Sequence, residues 1–485
     1  MELYEFSAVE LSRMLRAREC SSAELTRSVL ERIEKVEKRV RAYLTVDREG
    51  ALAAAERADE RFAAGETLPP LSGIPIGVKD NICTRGMRTT CASKMLDNFV
   101  PPYNATVIER LQSAGAVVTG KLNLDEFAMG SSCENSHFQK TANPHDLTRV
   151  PGGSSGGSAA ALAAGEAILT LGSDTGGSIR QPAAYCGIVG LKPTYGAVSR
   201  YGLVAFASSL DQIGPMARTV EDAALLFSAI RGADSRDATC AAREYAPLSL
   251  SSDVRGMRIG VPEEYYGDGV EAAVKAAVHA QLQELEKAGA KLIPIRLPST
   301  PYALSAYYII SSAEASSNLA RYDGVRYGFR SERVENLEDV YLNTRSEGFG
   351  DECKRRIMLG TFVLSSGYYD AYYKRAKLLQ QRIAAEFTEA FKSCDAIVTP
   401  TAPDTAFPFG AHSDDPLKMY ASDICTVTVN IAGLPAVSIP CGKDAHGLPI
   451  GMQIIGGKFT EEKILSLAKA CEEMAGGFNR LPALD

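Results

Sequence analysis

Histidine is scarce in this sequence of 485 residues, and the cysteine spacings that mark metal and redox sites are missing. Only five histidines are present, and no two of the eleven cysteines are spaced as C-x-x-C. That spacing is typical of structural zinc sites and of thioredoxin-like redox motifs. We therefore expect reduced cysteines that are mostly buried as small apolar side chains, and no metal site.

Long apolar runs and long basic runs are also missing. The most apolar stretch, residues 158–173, is rich in alanine and interrupted by Glu166, and it falls short of the roughly 20 residues that span a bilayer. Residues 1–20 mix charged and apolar residues, unlike a signal peptide. The net charge of -7 and the lack of a Lys/Arg run disfavour extensive nucleic-acid contact. We expect a cytoplasmic or organelle-matrix protein with no membrane partner.

The composition is that of a folded globular protein. Apolar residues make up 45% of the chain and charged residues 23%, which is ordinary for a chain that buries a large core. We predict one domain over residues 1–485. It has an N-terminal helical segment at about 1–65 and a mainly helical elaboration at about 300–391.

Hydrophobic periodicity predicts an α/β fold. Two capping boxes, Ser7-x-x-Glu10 and Ser21-x-x-Glu24, begin N-terminal helices. A helix is predicted from Asn104 to about Gly115, and another ends before Gly289. Strands are predicted at 74–79, 116–119, 168–171, 188–191, 257–261, 291–297, 396–399, 436–439 and 452–455. In the first of these, small residues share a face with Lys79, so backbone can approach the lysine closely.

A glycine/serine cluster at residues 151–158, Pro-Gly-Gly-Ser-Ser-Gly-Gly-Ser, precedes an alanine-rich helix. Taken alone, such a cluster is most often a flexible loop. A phosphate-binding P-loop would need a lysine that this segment lacks. Residues 152–156 also match the nucleophile elbow G-x-S-x-G, which requires a histidine later in the chain.

The histidines offer little support for a Ser-His arrangement. They are His137, His145, His279, His412 and His446. Each is more typical of a solvated residue than of a base, and His446 alone keeps the elbow hypothesis open. Lysine is the alternative base, as in Ser-Lys variants of the triad. Its ordinary pKa near about 10.4 means that it must be desolvated, or placed beside positive charge, to be neutral.

A second unusual segment, residues 172–182, reads Gly-Ser-Asp-Thr-Gly-Gly-Ser-Ile-Arg-Gln-Pro and directly follows an apolar strand. Glycines before a serine can turn successive N–H groups towards one point, as an oxyanion requires. Ser178 is thus a candidate nucleophile. Taken alone, the segment is more typical of a turn at the end of a strand.

Together, residues 73–81 with Lys79, residues 152–157 and residues 174–182 resemble the amidase signature family in order and spacing. This resemblance implies a large mixed central sheet flanked by helices on both faces. It implies Ser178 as nucleophile, Ser154 as proton relay after a cis Gly153–Ser154 bond, and Lys79 as base. The oxyanion hole is expected from the N–H groups of Thr175, Gly176, Gly177 and Ser178.

Three further segments, 354–361, 365–373 and 419–440, resemble the family members that hydrolyse glutamine within a tRNA-dependent amidotransferase. The resemblance implies that Arg356 reads the carboxylate of glutamine and that Asp423 reads its ammonium group. The guanidinium fork suits a carboxylate. Met129, Gly130, Ser131 and Tyr307 are expected to line the same pocket. Taken alone, Arg356 is more typical of a solvated helix face and Asp423 of a turn.

The resemblance also implies partners. In such a complex, B and C subunits complete a heterotrimer that converts glutamyl-tRNA(Gln) to glutaminyl-tRNA(Gln). The ATP and Mg²⁺ are used by the partner, which also holds most of the tRNA, so no cofactor is expected in this chain. One alternative is a stand-alone amidase for another small amide, which would lack the paired charge readers. Another is a non-catalytic scaffold, which would not need Lys79, Ser154 and Ser178.

Overall fold

A computed structural model describes residues 2–412 and 415–484 of the chain. Over these residues eleven strands form one sheet in the order β1-β3-β2-β4-β6-β5-β10-β11-β9-β7-β8. The strands are β1 Tyr43–Val46, β2 Pro75–Lys79, β3 Val117–Leu122, β4 Leu169–Asp174, β5 Val189–Lys192, β6 Gln212–Ala217, β7 Arg258–Pro262, β8 Lys291–Ile295, β9 Ala396–Pro400, β10 Ala436–Lys443 and β11 Pro449–Ile455.

The sheet is mixed, as the family resemblance implies. Strand β2 runs parallel to β3 and β4, and β7 runs parallel to β8 and β9. The remaining neighbours are antiparallel. Parallel neighbours need crossover connections, and helices fill these connections on both halves of the sheet. The predicted α/β class with a large mixed sheet is confirmed.

Fifteen α-helices occur in the part of the chain that the structure describes. They are α1 Ala8–Ala17, α2 Ser22–Val40, α3 Arg48–Ala63, α4 Thr106–Ser113, α5 Gly156–Ala164, α6 Arg180–Cys186, α7 Val220–Ile230, α8 Ala272–Lys287, α9 Thr300–Asn318, α10 Leu337–Gly348, α11 Asp351–Leu364, α12 Tyr373–Ala390, α13 Pro416–Ala421, α14 Val427–Ala432 and α15 Glu461–Met474. Both predicted capping boxes are formed, at the starts of α1 and α2.

Helices cover both faces of the sheet. Neighbouring residues on one strand, such as Ala436 and Val437 of β10, belong to two different hydrophobic clusters. Because side chains alternate along a strand, these clusters lie on opposite faces. Helices α2, α7 and α15 contribute to the first cluster, and α9, α12 and α14 to the second.

Two strands were not predicted from the sequence. Strand β1 lies inside the segment predicted to be helical, between α2 and α3. Strand β6 contains Gly214 and Pro215, which argue against a central strand because proline donates no ladder hydrogen bond. The sheet accommodates Pro215 because β5 pairs with Met216 and Ala217 and stops before the proline.

Several predicted boundaries shift by a few residues. The helix predicted from Asn104 begins at Thr106, and its N-cap is Ala105 without a side-chain cap. Residues 300–391 contain α9 to α12 and, among the described residues, no strand. No described helix combines the length and the apolar composition needed to cross a membrane. All eleven cysteines are free thiols, and eight of them are buried, as predicted.

Candidate active site

Lys79 ends strand β2 and is fully buried. Its Nζ donates to Ser154 Oγ at 2.7 Å, Ser155 Oγ at 2.8 Å and Ser173 Oγ at 3.0 Å, and it also lies 3.3 Å from the Ser173 carbonyl oxygen. A neutral amine in this position keeps one lone pair, so a serine hydroxyl can rotate and donate to it. The predicted pairing of Lys79 with Ser154 is therefore present as a direct hydrogen bond.

Burial makes Lys79 a base near neutral pH. Desolvation lowers the pKa of Lys79 to about 7, although the charges of Asp125, Cys133, Asp174 and Asp211 favour the protonated form. Desolvation disfavours the charged form of an amine. The pKa of Lys79 thus lies near neutral pH, where a general base works best.

Ser154 lies in the loop before α5, and the Gly153–Ser154 peptide bond is cis, as the resemblance implies. The Gly153 N–H donates to Gln181 Oε1 at 2.9 Å. A side chain at Gly153 would overlap the carboxylate of Asp125, because its Cβ would lie 2.1 Å from Oδ2. The glycines of this cluster thus allow close packing of backbone against side chains, and the cluster is not a flexible loop.

Asp125 is a buried carboxylate that the sequence analysis missed. It accepts hydrogen bonds from the N–H groups of Cys133 at 2.9 Å and Asn135 at 3.1 Å. Burial raises its pKa to about 7, against these hydrogen bonds. Of the charges near Lys79, Asp125 acts most strongly on the lysine. A lone aspartate after a strand carries no sequence signal for this role.

Ser178 follows strand β4 in a loop that Asp174 organises. Asp174 is fully buried and pairs with Arg180, whose Nε and Nη2 each lie 3.1 Å from a carboxylate oxygen. Burial raises the pKa of Asp174, but Arg180 and further polar partners outweigh this and lower it to about 2. Asp174 is therefore a fixed anion that holds the loop in place.

One member of the predicted oxyanion hole is wrong. The N–H of Gly177 donates to Asp174 Oδ1 at 2.8 Å, so it is not available to a substrate. An aspartate three residues before a glycine commonly caps the backbone in this way, which is a signal that the sequence contained. Among the described residues, the N–H groups of Thr175, Gly176 and Ser178 have no hydrogen-bond acceptor. These three remain candidates for an oxyanion hole.

Ser178 adjoins the lysine cluster through its backbone. Its carbonyl oxygen accepts a hydrogen bond from the Ser155 N–H at 3.1 Å. Its hydroxyl makes no hydrogen bond within the described part of the chain, and the residue keeps 8% exposure while Lys79 and Ser154 have none. The structure thus joins Lys79 to Ser154 and leaves the Ser154–Ser178 link unformed. Catalytic hydrogen bonds often tighten only when substrate binds.

Arg356 is buried on α11, not solvated on a helix face. Its Nε lies 2.6 Å from Glu352 Oε1, and its guanidinium packs over the rings of Tyr308 and Tyr420 at 4.4 and 4.8 Å. Its Nη1 is buried and has no described partner. The arginine lines a cavity of about 270 Å³ that also contacts Gly130 and Ser131. A buried guanidinium with a spare N–H suits a carboxylate ligand.

Asp423 lies beside the same cavity. Its carboxylate accepts hydrogen bonds from Ser131 Oγ and from the Tyr308 hydroxyl, both at 2.8 Å. Burial raises its pKa to about 6, although these hydrogen bonds and the charge of Arg356 oppose the shift. A carboxylate has about four acceptor sites, so Asp423 can still accept from a ligand ammonium group.

Tyr308, which the sequence analysis passed over, joins the two charged residues. Its ring lies against Arg356 and its hydroxyl binds Asp423. The predicted Tyr307 instead packs against the loop of Ser178, where a Cβ on Gly176 would lie 2.4 Å from its ring. Met129 is fully buried and is not among the residues that line the cavity. Of the predicted pocket residues, Gly130, Ser131 and Arg356 line it directly.

Two side chains connect this cavity to the serine cluster. Gln181 donates to the Ser131 carbonyl oxygen at 2.9 Å while accepting from Gly153. The Thr426 hydroxyl lies 2.6 Å from the Gly176 carbonyl oxygen and 3.1 Å from that of Asp423. These contacts link Ser131 to Gly153, which precedes Ser154, and Asp423 to Gly176, which lies in the loop of Ser178.

Lysine, not histidine, contacts Ser154, the predicted relay serine. Lys79 Nζ donates to Ser154 Oγ. His446 is exposed in the turn between β10 and β11. The nucleophile-elbow hypothesis required a histidine beside Ser154, and the structure places none of the five there.

Comparisons with known proteins show which families this chain is similar to. A model of the Amidase family matches residues 24–465. The A subunit of the glutamyl-tRNA(Gln) amidotransferase of Carboxydothermus hydrogenoformans is 58% identical over 475 residues, covering 98% of each chain. Among solved structures, the A subunit of the Thermotoga maritima enzyme is 43% identical, with a TM-score of 0.83 over 100% of this chain and 99% of that one.

A solved peptide amidase is also similar. This enzyme, from Stenotrophomonas maltophilia, is 31% identical, with a TM-score of 0.81 over 99% of this chain and 98% of that chain. Its identity is lower than that of the two amidotransferase chains over a similar span. The resemblance that the three sequence motifs predicted is confirmed over nearly the whole chain.

Proposed function

Because this chain belongs to the amidase signature family, we propose that it is the glutaminase subunit of a glutamyl-tRNA(Gln) amidotransferase. The observation that carries the proposal is the pair of buried charges, Arg356 and Asp423, on either side of Tyr308 and next to the serine–lysine cluster. Glutamine carries one anionic and one cationic group on the same carbon. A site with a spare guanidinium N–H and a nearby carboxylate suits that zwitterion.

The reaction follows from the positions of the three polar residues. Ser178 Oγ attacks the side-chain amide carbon of glutamine, its proton passes to Ser154, and the Ser154 proton passes to Lys79. The oxyanion accepts from the N–H groups of Thr175, Gly176 and Ser178, which are fixed before the substrate arrives. Collapse of the intermediate breaks the C–N bond, and the proton returns through Ser154 to the departing nitrogen. Ammonia leaves and an acyl-enzyme remains.

Water then repeats the sequence on the acyl-enzyme, with Lys79 and Ser154 as the base. Water attacks the acyl carbon, the bond from that carbon to Ser178 Oγ breaks, and Ser178 regains its proton. The products are glutamate and the free enzyme. These steps need no cofactor in this chain. ATP and Mg²⁺ would serve the partner that activates glutamyl-tRNA(Gln) and receives the ammonia, in a heterotrimer with B and C subunits. We expect this complex in the cytoplasm or in an organelle matrix.

The stand-alone amidase remains the second candidate, and the charge readers argue against it. An amidase for aryl or fatty amides gains nothing from burying Arg356 and Asp423, since desolvating a charge is costly even where the charge is partnered. The relatives that are named as amidotransferase subunits also share more of the sequence than the peptide amidase does.

An electrophilic glutamine analogue tests the proposal directly. The chain, with its partner subunits, is incubated with the analogue and the adduct is located by peptide mass spectrometry. We expect the label on Ser178, a large loss of labelling in Lys79→Met, and protection by glutamine but not by asparagine. An adduct on Ser154, or equal protection by both amides, would contradict the proposal. Ammonia transfer to glutamyl-tRNA(Gln) then tests the assembly.

A further inference from the structure

Arg356 is held in place by a carboxylate that no part of the proposed reaction uses. Glu352 lies one helical turn before Arg356 on α11, and its side chain is 10% exposed. Its Oε1 accepts from Arg356 Nε at 2.6 Å and from the Tyr420 hydroxyl at 2.9 Å. Its other oxygen contacts Arg355 Nη1. All of its acceptor contacts thus lie at the edge of the cavity.

These contacts restrict how the guanidinium can meet a ligand. A free arginine binds a carboxylate either side-on, through Nε and one terminal nitrogen, or end-on, through both terminal nitrogens. Glu352 occupies Nε, and the rings of Tyr308 and Tyr420 cover the flat face. Only the end-on edge remains for a ligand, and Nη1 on that edge has no described partner.

The negative charge of Glu352 is compensated by a second arginine. Its carboxylate would repel a substrate carboxylate a short distance away, but Arg355 pairs with it from the exposed side. Together Arg355, Arg356 and Glu352 carry one net positive charge, and the cavity is also lined by Lys140, Glu134 and Asp351. Glu352 can therefore orient Arg356 without cancelling the attraction that the ligand needs.

We propose that Glu352 is a positioning residue that sets the specificity of the site for an amide bearing an α-carboxylate. It directs the terminal edge of Arg356 into the cavity and so fixes where the α-carboxylate binds. This inference rests on the proposed glutaminase function. The orientation matters because losing a charge-assisted hydrogen bond to a ligand weakens its binding by about 10-fold to about 100-fold.

The substitution Glu352→Gln tests this role in the full chain with its partner subunits. We expect the KM for glutamine to rise between about 10-fold and about 100-fold, with kcat within about threefold of the wild type. The α-amide of glutamine lacks the carboxylate, so its KM should not change. Tyr420→Phe keeps the ring over Arg356 but removes one hydrogen bond to Glu352, and we expect a small rise in the KM for glutamine.

Asp351→Asn is the matched control. It makes the same charge change on the same helix and on the same cavity, but the Asp351 side chain is 96% exposed and its nearest cation is Lys354 at 3.9 Å. The KM of this variant for glutamine should equal that of the wild type. If it changes the KM for glutamine as much as Glu352→Gln does, the effect is not particular to the contacts of Glu352, and the proposal fails.

The direction of the change in the KM for glutamine in Glu352→Gln distinguishes an orienting role of Glu352 from simple charge repulsion. If Glu352 only weakened the positive field, its neutralisation would lower the KM for glutamine, so a lower or unchanged KM overturns the proposal. The wild type serves as the reference for the proposed function. If it hydrolyses glutamine and the α-amide equally well, the glutaminase function itself is wrong, whatever the variants do.

Discussion

Replacing Lys79 with methionine removes the amine and keeps an unbranched apolar side chain of similar length. Three serine hydroxyls, on Ser154, Ser155 and Ser173, lose the Nζ hydrogen bond. We expect glutamine hydrolysis to fall between about 10⁴-fold and about 10⁶-fold, as when one member of a nucleophile–base unit is removed. The acyl-enzyme should not form, because Ser178 has no route for its proton.

The pH dependence of the wild type gives the sharper test. Burial brings the pKa of Lys79 from 10.5 to about 7, so half of the enzyme holds a neutral base at pH 7. With the ordinary pKa, the neutral fraction at pH 7 would be about one part in 3000, which corresponds to about 5 kcal/mol. The rate of acylation should therefore rise about tenfold per pH unit below pH 7 and level off above it.

Single-turnover acylation at saturating glutamine, from about pH 5 to about pH 10, measures this profile. Lys192→Met is the matched control, because Lys192 is also fully buried and its pKa is also lowered, by desolvation, to about 7. Its described hydrogen-bond partner is the carbonyl oxygen of Pro193 at 2.8 Å, outside the serine cluster. This variant should keep both the midpoint and the plateau.

Three results would refute the reasoning. The rise could continue towards pH 10, which would mean that Lys79 is not desolvated in the working enzyme. The midpoint could persist in Lys79→Met, which would assign it to another group. It could also vanish in Lys192→Met, which would move the base to strand β5.

Two further predictions concern affinity and stability. Asp423 must be ionised to bind an ammonium group, and burial raises its pKa to about 6, so the KM for glutamine should rise about tenfold per pH unit below pH 6. Asp423→Asn should raise this KM at neutral pH and remove its dependence on pH. A pH dependence that persists in the variant would contradict the role of Asp423 in binding the ammonium group. Arg180→Leu leaves the buried carboxylate of Asp174 unpaired and should cost about 3–5 kcal/mol in chemical denaturation. The control Arg258→Leu breaks a partly exposed pair with Asp395 and should lower the free energy of unfolding by less than about 1 kcal/mol. If both variants lose the same free energy of unfolding, burial does not raise the cost of leaving Asp174 unpaired.

The parts of the fold that local signals encode could be predicted from the sequence. Capping boxes located α1 and α2, and alternation located β2, because both patterns depend on residues within a few positions of each other. Strand β6 could not be found in this way. Its Gly214 is required by a distant contact, since a Cβ there would lie 2.1 Å from the Leu191 carbonyl oxygen. Sequence patterns do not reveal which backbone passes that close.

The same limit applies to the site. Lys79, Ser154 and Ser178 stand in distinctive motifs, whereas Tyr308 and Glu352 look like ordinary helix residues. Their roles come from contacts with Asp423 and Tyr420, which are more than 60 positions away along the chain. Tyr307 and Tyr308 also illustrate the difficulty, since both are buried on α9 but face different partners. Helical periodicity cannot choose between two adjacent aromatic residues that are both buried.

The proposed function divides catalysis and substrate choice between different parts of the chain. Lys79 lies on β2, Ser154 precedes α5 and Ser178 follows β4, and burial lowers the pKa of Lys79 to about 7. Arg356 and Tyr308 come from α11 and α9, outside the sheet. A change in those helices can therefore alter the ligand while the desolvation of Lys79 stays the same. One set of core residues can in this way serve amides of different charge, with Glu352 and its partners deciding which amide binds.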